Sequence, residues 1–234
     1  MMFDPLYMMI LLVTLALSGS VSWMVKSRFN AGQKVGISSG LTGADVAKAI
    51  LMDAGITDVK VLQHHGFLSD HYNPLNKTLN LSPEVYNGRN ASAAGVAAHE
   101  VGHAIQHAQG YFPLWLRSFI VPAANLGSNL GPWLVILGIV LMSAGRALGY
   151  SLAVAGVVLF GIATLFTLVT VPVEFDASNR ALHILDSSGL LDSEDLSQAK
   201  KVLSAAAMTY VAAAAVSALQ LLRLILMFGG RRRN

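Results

Sequence analysis

The sequence predicts a mainly α-helical, integral membrane protein. It has three or four transmembrane helices, with a small α+β segment after the first. Three observations carry this. Charge is scarce: 12% of the 234 residues are charged and 54% are hydrophobic, where a soluble domain carries about 25% charged residues. The scarcity is local, because Arg146 is the one charged residue between positions 118 and 173, and such a run belongs in a bilayer. The third is the stretch His99-Glu100-Val101-Gly102-His103, which sets two imidazoles four residues apart, on one face of a helix.

Residues 1–29 hold the first apolar helix. Positions 6–24 are uncharged and long enough to cross a bilayer, with Tyr7 and Trp23 near the ends, where interfacial aromatics sit. A cleavable signal peptide would want a basic stretch ahead of this run, and the only charge there is Asp4. Lys26, Arg28 and Lys34 follow it, so the positive-inside rule places the N-terminus outside and the next residues in the cytoplasm.

Residues 30–117 form the α+β segment. Thr42-Gly43-Ala44-Asp45 resembles a capping box with Asp in the Glu position, opening a helix to about Asp53 that Gly55 closes. Positions 58–62 and 77–81 are expected as strands, with Asn73-Pro74-Leu75-Asn76 as turn material between them. Ser82-Pro83-Glu84 begins a short helix, with Ser as cap and Pro at the first helical position. An alanine-rich lead-in then opens the helix of the His99–His103 motif, with Ser92 as its expected N-cap and Gly110 as its left-handed end.

Residues 118–173 read as a transmembrane helical hairpin, with spans at 119–142 and 148–171 and a link too short to be a domain. Pro122, Pro132 and several glycines interrupt the first span, and Asn125 and Asn129 either join helices or line a wet cavity. Residues 174–234 hold a polar helix, a break at Gly189, a new start capped by Ser193, and an apolar helix over 202–228 ahead of Arg231, Arg232 and Arg233. That last helix either spans, leaving three arginines outside, or lies on the protein or in the interface.

The motif carries the chemistry. Two histidines at this spacing hold a metal and the glutamate after the first can act as a base on water, as in zinc peptidases of zincin type. The chain has no cysteine, so any metal takes His, Asp or Glu. A catalytic zinc needs three protein ligands and an open position. Position 109 is Gln, which excludes the metzincin pattern. His107 lies two turns beyond His99 and is expected to support the site, not to ligate. A distant carboxylate must complete the set. Two spans separate His103 from Glu174, an even number that returns the chain to the same membrane side. Glu174, the first acid after Glu100, is the expected ligand and Asp176 its rival, because a Glu-bearing helix is the usual partner of this motif outside metzincins. Glu100 is the expected base, and His71, Tyr72, Arg180 and Tyr210 are candidate donors to the oxyanion. The strand around 78–81 either pairs with an extended substrate or is structural. The net charge of +3 and pI near 9.3 come from scattered basic residues that mostly flank apolar spans, which points to a lipid bilayer and not to nucleic acid.

Several stretches carry a resemblance that covers nearly the whole chain. They are Ser69-Asp70-His71-Tyr72-Asn73-Pro74, Leu79-Asn80-Leu81-Ser82, the residues from Val96 through the motif to Gln106, Val173-Glu174-Phe175-Asp176-Ala177-Ser178, and Ala207-Met208-Thr209-Tyr210-Val211-Ala212. Through them the chain resembles the YugP-like family of bacterial membrane zinc metallopeptidases. The resemblance implies a gluzincin-type zinc peptidase of the bacterial cytoplasmic membrane. His99, His103 and Glu174 would hold Zn2+, Glu100 would be the catalytic base, and proteins or peptides, membrane proteins among them, would be substrates. It leaves as alternatives a non-catalytic membrane scaffold or adaptor with a regulatory zinc site, against which Glu100 argues, and hydrolysis of a non-peptide bond. One position departs from the gluzincin pattern. The fourth residue after Glu174 is Ser178, not Asp, so orientation of a histidine ligand is expected from elsewhere, from Asp176 or Asp70.

Overall fold

The computed structural model describes residues 5–66 and 69–229. Asp4, used above in the signal-peptide reading, and the arginines at 231–233, used in the reading of the last helix, lie outside the described residues. The helices are α1 (Pro5–Gln33), α2 (Gly43–Asp53), α3 (Pro83–Tyr86), α4 (Ala91–Ala108), α5 (Phe112–Ser143), α6 (Leu148–Ser187) and α7 (Ser193–Gly229). The strands are β1 (Lys60–Gln63), β2 (His71–Asn73) and β3 (Thr78–Leu81). Among the described residues, four helices are long and apolar enough to cross a membrane: α1, α5, α6 and α7. The apolar and polar parts of the last three are single continuous helices.

The chain divides into two compact units. The first comprises Ser20–Leu114 and Pro172–Thr209. Its core is one cluster built from α2, α4, β3 and the polar ends of α1, α6 and α7, including Phe29, Ile50, Leu79, Leu81, Val101, Leu185 and Leu203. The capping box of α2 forms as the sequence predicts: the Thr42 hydroxyl accepts from Asp45 N–H, and Asp45 accepts from Thr42 N–H. The sheet order is β1-β3-β2, with β1 parallel and β2 antiparallel to β3. The register pairs Tyr72 with Leu79. β2 is absent from the sequence expectation, because three residues are too few to show alternation and they adjoin the turn at 73–76. β3 has a neighbour on both sides, so it has no edge for an extended substrate and its role is structural.

The cap of α4 also differs. Asn90 is the N-cap, its side chain accepting from Ala93 N–H at 3.0 Å. Ser92 lies inside the helix, fully buried, and donates to the carbonyl of Phe29 at 2.8 Å. It fastens α4 to α1, where a Cβ on Gly32 would collide with the Ser92 hydroxyl. Gly110 ends the helix with φ 63°, a conformation open to glycine at low cost.

The second unit holds Trp115–Val171 with the described parts of Met1–Gly19 and Tyr210–Asn234. α5 stays helical through Pro122 and Pro132. Its glycines are contacts and not breaks: a Cβ on Gly138 would lie 2.5 Å from the Ala153 nitrogen, and one on Gly127 would overlap the Leu159 carbonyl. Small residues at such spacing let two backbones approach in lipid, where no hydrophobic effect drives helix association. Asn125 and Asn129 are exposed, and Asn129 donates to the Asn125 carbonyl of its own helix at 2.8 Å. Among the described residues they join no helices. Arg223 of α7 stacks over the Tyr7 ring of α1 at 3.9 Å.

Candidate metal centre

α4 presents the two motif histidines on the face that packs against α6. The packing is close because position 102 is glycine: a Cβ there would lie 2.5 Å from the Ala177 carbonyl oxygen. Glu174, one turn before Ser178 on α6, therefore reaches both imidazoles. Its Oε2 lies 3.2 Å from His99 Nε2 and 3.5 Å from His103 Nε2. The three side chains form one cluster whose ligand atoms all lie within 4.8 Å of one another. All three belong to the first unit.

The residues fit a small tetrahedral cation. Bonds of about 2.0–2.1 Å to a tetrahedral zinc put ligand atoms roughly 3.3 Å apart, which matches the spacings of Glu174 Oε2 from the two imidazoles. The donor set, two imidazoles and a carboxylate, is one zinc takes in hydrolases.

Hydrogen bonds behind the cluster engage Nδ1 of each imidazole. Gln106 is fully buried. Its amide nitrogen donates to the Val173 carbonyl at 2.9 Å and to Asp176 Oδ2 at 2.7 Å. Both amide protons are thus committed, and its oxygen, 3.0 Å from His103 Nδ1, must accept. His103 therefore carries a proton on Nδ1, and its Nε2 is the nitrogen directed at Glu174. His99 Nδ1 lies 3.1 Å from the Ser178 hydroxyl, and its Nε2 is the nitrogen that faces Glu174. Burial disfavours charge on His103, but the hydrogen bond to Glu174 and the Glu100 and Glu174 charges outweigh it and hold its pKa above the ordinary value.

Glu100 is buried beside this cluster. Its Oε2 accepts the backbone N–H of Tyr72 at 2.9 Å, so the short strand β2 sets the orientation of this carboxylate. The Tyr72 hydroxyl is 2.9 Å from His107 Nδ1. His107 thus steadies β2 from α4 and stands outside the ligand cluster.

The other candidates are placed elsewhere. Both His71 ring nitrogens are engaged, Nδ1 with the Ser69 carbonyl at 2.8 Å and Nε2 with Asn80 at 3.2 Å. Arg180 donates to Asp176 and to Gln109, each at 2.5 Å, and stacks over Tyr111. Asp176 is outside the ligand cluster and supports His103 through Gln106. Asp70 accepts from Ser82 N–H at 2.7 Å; burial pushes its carboxyl above the ordinary range, against the Ser82 hydrogen bonds, with Glu100 adding to the rise. Ser82 is accordingly taken up by Asp70 and does not cap α3 with its side chain. Tyr210 belongs to the other unit.

Gln106 and Ser178 were not singled out as supports from the sequence. The signal was there: Gln106 is three residues past His103 on the same face of α4, and Ser178 is four past Glu174 on α6. Ser178 occupies the place of the missing Asp and meets His99 with a hydroxyl.

Comparison with known proteins gives the same direction. The family described as "Putative neutral zinc metallopeptidase" matches residues 7–229. A Bacillus subtilis (strain 168) protein named "Putative membrane protease YugP" is 44% identical over 230 residues, covering 98% of this chain and 100% of that protein. No solved structure matches.

Proposed function

We propose that this chain, which belongs to the neutral zinc metallopeptidase family, is a zinc-dependent endopeptidase. It would cleave peptide bonds in proteins or peptides at the cytoplasmic face of a bacterial membrane. One observation carries the reading. His99, His103 and Glu174 converge with ligand spacing, and the Glu100 carboxylate is held beside them by a backbone N–H. Metal binding alone would not need an oriented carboxylate there.

His99, His103 and Glu174 are the residues that would hold zinc. The ion would supply Lewis-acid polarisation of the scissile carbonyl and acidify water. Glu100 takes the proton of the attacking water and passes it to the leaving amine. Tyr72 N–H holds Oε2 of that carboxylate in one direction, leaving the other oxygen for the proton. Gln106 keeps the His103 proton on Nδ1, and Ser178 orients His99 through its Nδ1. Extended substrate pairs with β2, the edge strand that touches Glu100.

The orientation rests on charge. Lys26, Arg28, Lys34 and Arg117 flank the apolar segments on one side, against Arg146 on the other. A reporter active only in the periplasm, fused after Lys60, should stay silent, and activity would reverse the orientation.

The deciding experiment is proteolysis of a membrane-protein and peptide panel by the purified chain, with and without chelator, beside Glu100→Gln. Cleavage should stop with chelator and fall at least about a hundredfold in Glu100→Gln, which keeps its zinc. A Glu100→Gln protein as active as the wild type would sink the mechanism.

A further inference from the structure

A second feature of the first unit is a basic cleft between the last turns of α1 and the start of α7. Arg28 comes from α1 and Lys200 and Lys201 from α7, and together with Met24 and Met208 they line a cavity of about 390 Å³. It shares Met24, Arg28 and Met208 with a neighbouring hollow of about 660 Å³, walled also by Val21 and Trp23. All three cations are exposed, and among the described residues none has an ion-pair partner. They take no part in the metal centre.

The placement says what fits. Along α1, residues 6–24 are uncharged and Lys26 and Arg28 come next; along α7, Lys200 and Lys201 are followed by an uncharged run to 222. Both helices therefore change from apolar to charged at this cleft, α1 on leaving its apolar run and α7 on entering its own. The polar end offers three cations and the hydroxyls of Ser197 and Ser204. The apolar end offers Val21, Trp23 and Met208, with Trp23 73% exposed. A cationic pocket continuous with an apolar wall, at the level where two helices meet the membrane surface, matches a phosphate headgroup joined to acyl chains. Scattered flanking charges would make a diffuse patch. Here they converge from two helices on one hollow.

We propose that this cleft binds an anionic glycerophospholipid, with its phosphate between Arg28, Lys200 and Lys201 and its chains along Val21, Trp23 and Met208. Net negative charge is the required property, because the three cations are not balanced within the cleft.

The test uses the full chain purified in neutral detergent. It is titrated with dioctanoyl phosphatidylglycerol, dioctanoyl phosphatidylcholine or inorganic phosphate, and bound lipid is counted by native mass spectrometry. Phosphatidylglycerol should bind at least about tenfold tighter than phosphatidylcholine, and millimolar phosphate should not displace it. Replacing Arg28, Lys200 and Lys201 together by Gln should weaken binding on the order of a hundredfold, taking about 1 kcal/mol for each cation near a membrane surface. Lys26→Gln with Lys34→Gln removes basic residues from the same chain segment but not from the cleft and should change binding less than twofold. Should the triple variant fail to fold, Lys200→Gln and Lys201→Gln singly should each cost about fivefold, and Arg28→Lys should retain binding. Equal affinity for phosphatidylcholine, or equal loss in the Lys26/Lys34 variant, or no loss in the cleft variants, would overturn the proposal. Displacement by phosphate alone would overturn the lipid assignment and leave a phosphate site.

Discussion

Two pairs of helical segments in this chain approach each other through glycine, and they put the approach to different use. In the hairpin, Gly127, Gly131 and Gly138 of α5 face Leu159, Gly156 and Ala153 of α6, and backbone meets backbone with only apolar neighbours. In the other unit, Gly102 of α4 meets the Ala177 carbonyl of α6, and the surrounding side chains are His99, His103, Glu174 and Ser178. The first contact is packing between two long apolar helices. The second lets a carboxylate that is 1% exposed lie against two imidazoles. Close helix approach is thus a general device here. A site needs more: a buried group such as Gln106, with every polar atom spoken for, to fix the chemistry at the contact.

The comparison breaks most sharply at the ligands. Glu174→Ala should release zinc altogether from a chain that should otherwise hold about one ion, because two histidines alone bind weakly. Metal analysis of the purified variant checks this, and full occupancy would move the third ligand elsewhere. Asp176→Ala should not empty the site, since its carboxylate reaches His103 only through Gln106.

Gln106→Leu sharpens the distinction between packing and chemistry. The side chain is similar in volume and the helix contact persists, but His103 loses the acceptor on Nδ1. Zinc affinity should drop about ten- to a hundredfold, as for other partners behind metal ligands. Competition with a chromophoric chelator measures it, and unchanged affinity would show that the contact alone suffices.

The two glycine contacts can be set against each other directly. Gly102→Ala and Gly127→Ala each force a methyl onto a carbonyl oxygen, and each should cost about 1–3 kcal/mol in stability. Only Gly102→Ala should also loosen zinc in the folded protein. Thermal unfolding with and without chelator separates the two effects; equal zinc loss in both would mean that the contacts are not distinct in function.

The smallest expected effect is on pH. His103 would ligate only when neutral, and its pKa in the metal-free protein lies above the ordinary value, which is about 6.5. The folded metal-free state gains from the charged form at low pH and loses that gain as pH rises through the raised pKa. Zinc competes with this proton, so the stabilisation on adding zinc should be larger at pH 8 than at pH 6. A stabilisation independent of pH would place the metal away from His103.

Much of the fold was written in local patterns. The apolar runs and the interruption at Gly189 set out the four long helices, and Thr42 with Asp45 marked α2, because span length, capping and turn chemistry depend on neighbours in sequence. The helical face of His99, Glu100 and His103 was legible for the same reason, and an even number of spans pointed to Glu174. Tertiary structure decided what depends on partners far along the chain. Glu174 stands 75 residues from His99, and only the fit of Gly102 against Ala177 brings them together. β2, too short to show a period, was invisible until β3 paired with it and Glu100 accepted its N–H. Ser92 reads as a cap from its neighbours, yet the chain used Asn90 for that and spent Ser92 on Phe29 of another helix. Local sequence states which groups a segment offers; which of them are satisfied, and by whom, is settled when buried polar atoms must all find partners.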